Sequence, residues 1–214
     1  MDASDASNGR LPPLLERRLI ERAQSGCADS AHRLVTSHQD RLNAFVFRMV
    51  RDSHEAEEIC QEAFLRAFGS LDKFDFAYRF STWLFTIGYR LSLNTLRRRR
   101  EYSGDVDFGD VARNGRTAPA EDVADDVANS DEARRLKAAI WESVDRLTAP
   151  QRATVLLFYR EALSCQDIGE ILDMPAATVK SHLHRARARL RELLGEELVE
   201  GWSAVRIRDA AGCA

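Results

Sequence analysis

Apolar residues recur every three or four positions along most of the chain, the spacing that places side chains on one face of an α-helix. Leu15, Leu19 and Ala23 open this pattern, and it resumes beyond Ser25-Gly26. The strict alternation of apolar and polar residues that indicates strands is almost absent. Prolines, which interrupt helices, are confined to Pro12, Pro13, Pro119, Pro150 and Pro175. The pattern therefore predicts an all-α protein.

The helical pattern falls into two blocks. The first covers residues 14–100 and follows a polar, proline-containing extension, residues 1–13, which we expect to be disordered. Residues 101–129 contain glycine, proline and clustered acids without apolar periodicity, which predicts a flexible, solvated linker. The second block covers residues 130–195, and a weakly patterned tail, residues 196–214, receives no role. The expected architecture is two small helical domains joined by an acidic linker.

In the first block, two polar residues stand where helices are expected to begin. Asp52 precedes a helical run with Glu55 at its third position, which indicates an N-cap. Ser81 lies between Phe80 and Phe85, which occupy the places of a hydrophobic staple. We expect Asp52 and Ser81 to cap the last two helices of this block.

Two further helix starts are expected in the second block. Thr148 and Gln151 have the spacing of a capping box, and Pro150 suits a first helical turn. Ser164 and Asp167 stand at the same spacing and are expected to open a short helix.

Charge is segregated along the chain, although the formal net charge is only −3. Residues 79–100 and 178–191 contain arginine or lysine and no acid, whereas residues 101–132 are strongly acidic. A single basic run is ordinarily a solvated helix face. Two acid-free basic segments, each in a helical pattern, favour nucleic-acid binding.

Several classes of protein are disfavoured. The four cysteines form no C-x-x-C pair, so neither a disulfide framework nor a zinc site is expected. No apolar run approaches the length of a membrane span, and no signal peptide is recognisable, so we expect a cytoplasmic protein without membrane insertion. Phosphate loops, metalloprotease motifs and nucleophile elbows are missing from the sequence. We therefore expect no enzyme, no metal and no cofactor.

Residues 164–191 carry the strongest motif. A short helix, an interruption at 173–175 and a longer basic helix from Ala176 to Leu194 form the pattern of a helix-turn-helix. In that motif the first half of the second helix meets base edges, and its N-terminus favours phosphate. The alternative is a basic amphipathic helix on the surface of an α-bundle.

The second helix of this motif separates into two faces. Its apolar residues are expected to pack inward: Val179, Leu183, Ala186 and Leu190. Its polar residues point elsewhere and are the candidates for DNA contact: Lys180, Ser181, His184, Arg185 and Arg187. Lysine and arginine can address guanine in the major groove, and serine can address either base. Arg189 and Arg191 lie later and suit backbone or solvent contact.

A second candidate surface lies in residues 79–100, where aromatic residues accompany the arginines. Aromatic rings can stack on unpaired bases while arginines follow the backbone of the strand. The alternative is that the aromatic residues are core and the arginines are solvated, and for Trp83 and Phe85 individually we favour the core. For the segment as a whole, we favour single-stranded DNA.

These residues also resemble a known family. The run RDSHEAEEICQEAFL at 51–65, continued by FSTWLFTI at 80–87, resembles region two of the extracytoplasmic-function (ECF) sigma factors. The runs LTAPQR at 147–152, DIGEIL at 167–172 and TVKSHLHRAR at 178–187 look like region four of the same family. The resemblance covers most of the chain in the same order and spacing. It implies a factor that binds core RNA polymerase, directs it to specific promoters and promotes melting of the DNA.

The resemblance also implies roles for particular residues. The first domain would dock on the β′ clamp helices of polymerase through Glu58, Gln61, Glu62 and Leu65, and the factor would also meet the β flap. The loop at residues 72–79 and the helix after Ser81 would hold the unpaired strand of the minus-ten element. The candidates there are Arg79, Thr82, Trp83, Thr86, Arg90 and Arg97.

The second domain would read the minus-thirty-five element as duplex DNA. Base-reading positions of the family are matched by Lys180, Ser181, His184 and Arg185, and Arg187 belongs to the same surface. Arg152 and Thr178 are candidates for phosphate contacts.

Three positions depart from the pattern of the family. Arg90 stands where the family commonly has Asn, Asp173 where it commonly has Gly, and His182 where it often has Arg. These departures would change which promoter sequence the protein reads more than what the protein does.

Many members are held inactive by an anti-sigma factor, often at the membrane, and such a partner is expected here. The main alternative is a stand-alone helix-turn-helix regulator whose first block is a sensor or dimerisation domain. A weaker alternative is a polymerase-binding protein that does not read DNA.

Overall fold

The computed structural model describes residues 11–103 and 131–194, and every regular element in those two ranges is helical. The all-α prediction is thereby confirmed. Most of the expected extension, linker and tail lies outside the described residues.

Eight α-helices follow one another in the described chain: α1 Pro13–Gln24, α2 Ala28–Val50, α3 Ser53–Gly69, α4 Phe80–Ser103, α5 Asp131–Asp145, α6 Ala149–Val155, α7 Cys165–Leu172 and α8 Ala176–Leu194. A 3₁₀ turn, Leu71–Lys73, lies between α3 and α4, and a π-helical turn, Leu156–Arg160, extends α6. Helix α4 continues three residues beyond Arg100, the expected end of the first block.

Helix α2 is the centre of the first four helices and packs against α1, α3 and α4. Its apolar stripe is buried as the periodicity predicts, with Leu34, Leu42, Phe45, Val46 and Met49 inaccessible to solvent. In the second group, α8 packs against α5, α6 and α7. The four residues of α8 expected to face inward are all buried.

Side-chain caps fix three of the helix starts. The backbone N–H of Glu55 donates to Asp52 Oδ1 at 3.0 Å, so Asp52 is the N-cap of α3. The N–H of Asp167 donates to Ser164 Oγ at 3.1 Å at the start of α7. The N–H of Thr148 donates to Gln151 Oε1 at 3.2 Å, at the start of α6. These caps confirm three predictions made from local sequence alone.

The prediction that Ser81 caps α4 is wrong. Helix α4 begins at Phe80, and the N–H of Trp83 donates to the carbonyl of Arg79, so Ser81 already lies in the first turn. Phe80 is fully buried and its ring lies near the rings of His38, Phe68 and Trp83. We attribute the earlier start to this packing, which holds Phe80 within the helix.

Gly169 is required where α7 meets the turn before α8. A Cβ built on Gly169 would stand 2.6 Å from the carbonyl oxygen of Met174, and the backbone there cannot yield cheaply. We expect Gly169→Ala to lower the free energy of unfolding by about 1–3 kcal/mol, the usual cost of overpacking. Thermal or urea unfolding measures this change.

The matched control is Gly69→Ala at the last residue of α3, where no atom lies within 4 Å of an added Cβ. Because alanine restricts the unfolded chain, this variant should be neutral or slightly more stable. Equal unfolding midpoints for the two variants would show that the turn after α7 accommodates the added methyl group.

Cys27 and Cys60 lie in different environments, since Cys60 is buried and Cys27 is not. Burial raises the pKa of the Cys60 thiol to about 12, whereas hydrogen bonding from Ser30 lowers the pKa of Cys27, which also lies near Arg22. Because the thiolate is the nucleophile, iodoacetamide at neutral pH should alkylate Cys27 well before Cys60 in the folded protein. Peptide mass spectrometry against time measures both rates, and equal rates would contradict these environments.

Within the described residues, no helix is both long and apolar enough to span a bilayer. Nor do the described His, Cys, Asp and Glu side chains form a cluster that could hold a metal ion.

The two groups of helices contact each other. Helix α7 packs against α4, and α6 packs against α2. The described chain is therefore one packed body in which the helix-turn-helix lies beside the helix that carries the arginine run.

Candidate nucleic-acid interface

The exposed face of α8 presents the residues expected to read DNA. Lys180, Ser181, His184 and Arg185 are all exposed, on the side opposite the buried stripe of α8. Ser181 Oγ donates to the carbonyl of Ala177 and Arg185 Nε to that of Ser181, at 3.0 and 3.3 Å. This face can meet a major groove without any rearrangement of the core.

A backbone hydrogen bond closes the turn between α7 and α8. Asp173 takes a left-handed conformation, with φ of 57°, and the N–H of Met174 returns to the carbonyl of Gly169 at 2.9 Å. Left-handed backbone favours glycine, which is the residue that the family commonly has at this position. Thr178 lies half-buried in the first turn of α8, where its N–H donates to the carbonyl of Pro175.

Arg187 is held differently from the other candidates on α8. Its Nε donates to Tyr159 Oη at 2.7 Å, and its guanidinium lies 5.8 Å from the ring centroid of Phe158. Tyr159 is buried and belongs to the π-helical turn, 28 residues earlier in the chain. Sequence reasoning missed this orienting contact, since the spacing gives no signal for it.

His182 is half-buried on the side of α8. Burial lowers its pKa, and the charge of Arg185 acts in the same direction. The imidazole is therefore held towards its neutral form.

Arg152, expected as a phosphate contact, is only 6% exposed. Its guanidinium donates to the carbonyls of Asp145 and Leu147 within its own group of helices, and to that of Met49 on α2. Burial lowers its pKa, while Asp145 acts in the opposite direction. Arg152 cannot reach DNA in this arrangement of the two groups.

The minus-ten candidates, on α4 and directly before it, differ in their exposure to solvent. Arg79, Arg90 and Arg97 are exposed, and Thr86 is half-buried with its hydroxyl bonded to the carbonyl of Thr82. Thr82 itself is 4% exposed. The exposed arginines can follow a phosphate backbone, whereas Thr82 serves the packing of the helix.

Trp83 is half-buried and packs towards its own domain. Its ring lies 5.2 Å from that of Phe74 and 5.9 Å from that of Phe80. Phe74 is buried, and Phe76 packs at its edge, whereas Tyr78 is half exposed. The loop before α4 is therefore an aromatic cluster with one ring, Tyr78, open to solvent.

The arginine run at the end of α4 is partly engaged. Arg99 pairs with Glu55 of α3 at 2.7 Å and donates to the carbonyl of Val50 at the end of α2. Arg97 lies 3.9 Å from Glu101, in an exposed pair that contributes little.

The polymerase-docking candidates share one face of α3. Glu58 and Gln61 are exposed, whereas Glu62 is half-buried and pairs with Arg66 at 2.7 Å. Leu65 is 69% exposed among these polar residues. A leucine so open on an acidic face is suited to burial against a partner.

Two family models match the chain on these elements. Residues 34–102 match sigma-70 region 2, and residues 137–190 match sigma-70 region 4. The first match contains the docking face of α3 and all of the minus-ten candidates, and the second contains α7 and most of α8. The fold and these surfaces define a sigma-70-type transcription factor.

Similarity to individual proteins identifies the family more closely. The chain is 33% identical over 184 residues to the ECF RNA polymerase sigma factor SigW of Bacillus subtilis, covering 85% of this chain and 97% of SigW. It is 31% identical over 180 residues to the ECF RNA polymerase sigma-E factor of Escherichia coli K12, covering 81% and 91%. The chain belongs to the ECF family of RNA polymerase sigma factors, which act in promoter-specific transcription initiation.

Solved structures agree in fold. The sigma factor RpoE of Bartonella quintana, in complex with the anti-sigma factor NepR, has a TM-score of 0.57 at 27% identity and covers 72% of this chain and 89% of that chain. CnrH, in complex with the cytosolic domain of CnrY, has a TM-score of 0.61 at 22% identity, covering 84% and 97%.

Proposed function

We propose that this factor reads the upstream promoter element through the exposed face of α8 and holds the unpaired downstream strand along α4, while α3 binds core polymerase. The proposal rests on the observation that the exposed candidates lie on three different elements of the fold. Lys180 and Arg185 are exposed on α8, Arg79 directly before α4 and Arg90 on it, and Leu65 on α3.

The proposed action requires binding energy and no covalent step. Unstacking bases costs a few kcal/mol per step, and contacts to polymerase and to duplex DNA offset that cost. Bases captured along α4 then shift the equilibrium from closed to open promoter. The protein would act as a regulator, not as a catalyst.

The proposed polymerase contacts are the β′ clamp helices, on the α3 face, and the β flap, on the second group of helices. We also propose an anti-sigma partner, since the structures of RpoE and CnrH each contain a partner and the RpoE partner is an anti-sigma factor. The chain itself offers no residue that identifies that partner.

The decisive experiment is transcription from genomic fragments by core polymerase with and without this protein. We expect discrete start sites that depend on the protein, and salt should weaken promoter binding steeply because phosphate contacts release counterions. Specific duplex binding without polymerase, and no change in its start sites, would instead support a stand-alone regulator. Polymerase binding without promoter selectivity would support the weaker alternative.

A further inference from the structure

Two side chains of α1 contact the loop before α4. Gln24, the last residue of α1, donates from Nε2 to the carbonyl oxygen of Leu71 at 2.8 Å, from 47 residues away in sequence. Arg17 places its guanidinium over the ring of Phe76, 4.7 Å from the centroid. The first contact lies where the 3₁₀ turn begins, and the second lies in the middle of the loop.

Both contacts come from one face of a helix that is itself fixed. Arg17 and Gln24 are seven residues apart, which places them on the same face of α1 and about 10.5 Å apart along it. Leu19 and Ile20 are buried, and α1 packs against α2. Helix α1 can therefore support the loop at two points.

The loop contains a tight turn that begins at Asp75. The Oδ1 atom of Asp75 accepts a hydrogen bond from the N–H of Ala77 at 2.8 Å, and its carbonyl accepts one from the N–H of Tyr78 at 3.1 Å. Phe76 lies inside this turn and is half-buried, and its ring packs edge-on against that of Phe74, with the centroids 5.3 Å apart. The position of this ring is thus set by packing within the loop and by a cation from α1.

The residues that follow the turn are open to solvent. Tyr78 is 50% exposed, and Arg79 is exposed beside it. An aromatic ring can stack on an unpaired base, and an arginine can follow the backbone of the strand. Because Phe76 precedes Tyr78 by only two residues, a shift of the Phe76 ring would displace both exposed side chains.

We propose that α1 is a brace for this loop, and that Arg17 and Gln24 are positioning residues that hold the loop in the conformation that binds the unpaired strand. Neither residue needs to touch DNA, because each acts through a residue of the loop. The consequence for DNA rests on the proposed function, whereas the brace itself does not.

The physical reason for a brace is preorganisation. A loop that is already held loses less conformational entropy when it binds a strand. An exposed cation–π contact is equivalent to about two- to fivefold in an equilibrium constant, and a neutral hydrogen bond to about two- to tenfold. Removal of either contact should weaken strand binding by about the same factor.

The test uses two variants of the brace and two controls on the same helix. Arg17→Gln removes the cation, and Gln24→Glu replaces the donor with a carboxylate that faces the carbonyl of Leu71. Arg18→Gln is the matched control, because it removes the same charge from an exposed neighbour. Glu21→Gln removes the 3.0 Å ion pair between Arg17 and Glu21 and leaves the ring contact in place.

Hydrogen–deuterium exchange of the full chain measures the brace without DNA. The amides of Phe74 and Tyr78, which donate within the loop, should exchange about two- to tenfold faster in the two brace variants, because local opening becomes easier. Exchange in α8 should stay the same in every variant, and both controls should match the wild type. Wild-type exchange of the loop in both brace variants would overturn the proposal.

Equilibrium binding of the reconstituted holoenzyme measures the consequence for DNA. The probes are a promoter that the wild type selects, with its downstream element unpaired, and a duplex that ends upstream of that element. Arg17→Gln should bind the first probe about two- to fivefold more weakly and the second with unchanged affinity. A general loss of structure would weaken binding to both probes, and circular dichroism checks the helices of each variant.

A double-mutant cycle separates positioning from direct contact with DNA. Phe76→Leu removes the ring that Arg17 covers. If Arg17 acts through that ring, adding Arg17→Gln to Phe76→Leu should weaken strand binding no further. Losses that add in full would show that Arg17 contacts DNA itself and would overturn its positioning role.

The remaining outcomes distinguish the brace from the proposed function. Faster exchange of the loop with unchanged binding of the unpaired strand would overturn the link between the brace and strand capture. A wild type that selects no promoter, together with faster exchange of the loop in the brace variants, would refute the proposed function and leave the brace standing.

Discussion

Lys180→Ala combined with Arg185→Ala should abolish the preference for matched upstream DNA. Both side chains are exposed, Lys180 in the first half of α8, where a recognition helix meets base edges, and Arg185 at its middle. A good bidentate contact to a base discriminates by about 1–3 kcal/mol, so losing two costs about 2–6 kcal/mol when they act independently. Transcription by reconstituted holoenzyme, from promoters with matched and scrambled upstream sequence, measures the loss.

The control for this double variant is Arg191→Ala, which removes an exposed arginine from the last turn of the same helix. It should reduce binding to both promoters equally, as expected for a contact with backbone or solvent. If the wild type transcribes matched and scrambled promoters alike, α8 does not read the upstream element. If the double variant keeps the wild-type preference, other residues of α8 read it.

Leu65→Asp should weaken association with core polymerase by about 100-fold. Burial of a leucine side chain contributes about 1.5–3 kcal/mol, and a carboxylate at the same position would have to be desolvated as well. Since Leu65 is already open to solvent in the free protein, the change should leave the fold intact. Equilibrium binding to labelled core polymerase measures the effect, and Gln61→Ala should show a smaller loss.

Leu14→Asp supplies a matched control on another helix. Leu14 is 77% exposed on α1, outside the proposed docking residues of α3, and should tolerate the same substitution without loss of polymerase binding. Wild-type affinity for Leu65→Asp would exclude the α3 face as the docking surface. Equal weakening by both variants would indicate a nonspecific effect of added negative charge.

Local features of the sequence predicted most of the helical framework. Asp52 and Ser164 predict where α3 and α7 begin, because an N-cap depends on residues only three positions away. The buried face of α8, and therefore its exposed polar face, was predicted correctly from the spacing of its apolar residues, Val179, Leu183, Ala186 and Leu190. Ser81 failed as a cap because Phe80, held by rings from α2, α3 and the loop before α4, had already joined the helix.

Long-range packing decided which of the candidate residues are open to a partner. Thr82 is buried and Trp83 packs against Phe74 and Phe80, although both lie in the same segment as exposed Arg79. Arg187 is held by Tyr159, whose position follows from the π-helical turn. Sequence spacing could not separate these residues from their exposed neighbours.

The sequence by itself determined that the chain is helical, where most of its helices begin, which face of α8 is polar and to which family it belongs. Each of these depends on residues a few positions apart or on motifs read in order. Only the tertiary structure decided that Arg152 is buried against α2 and that the two groups of helices lie together. The physical reason is that Arg152 finds its carbonyl partners 103 and 104 residues away, a distance over which side-chain periodicity carries no information.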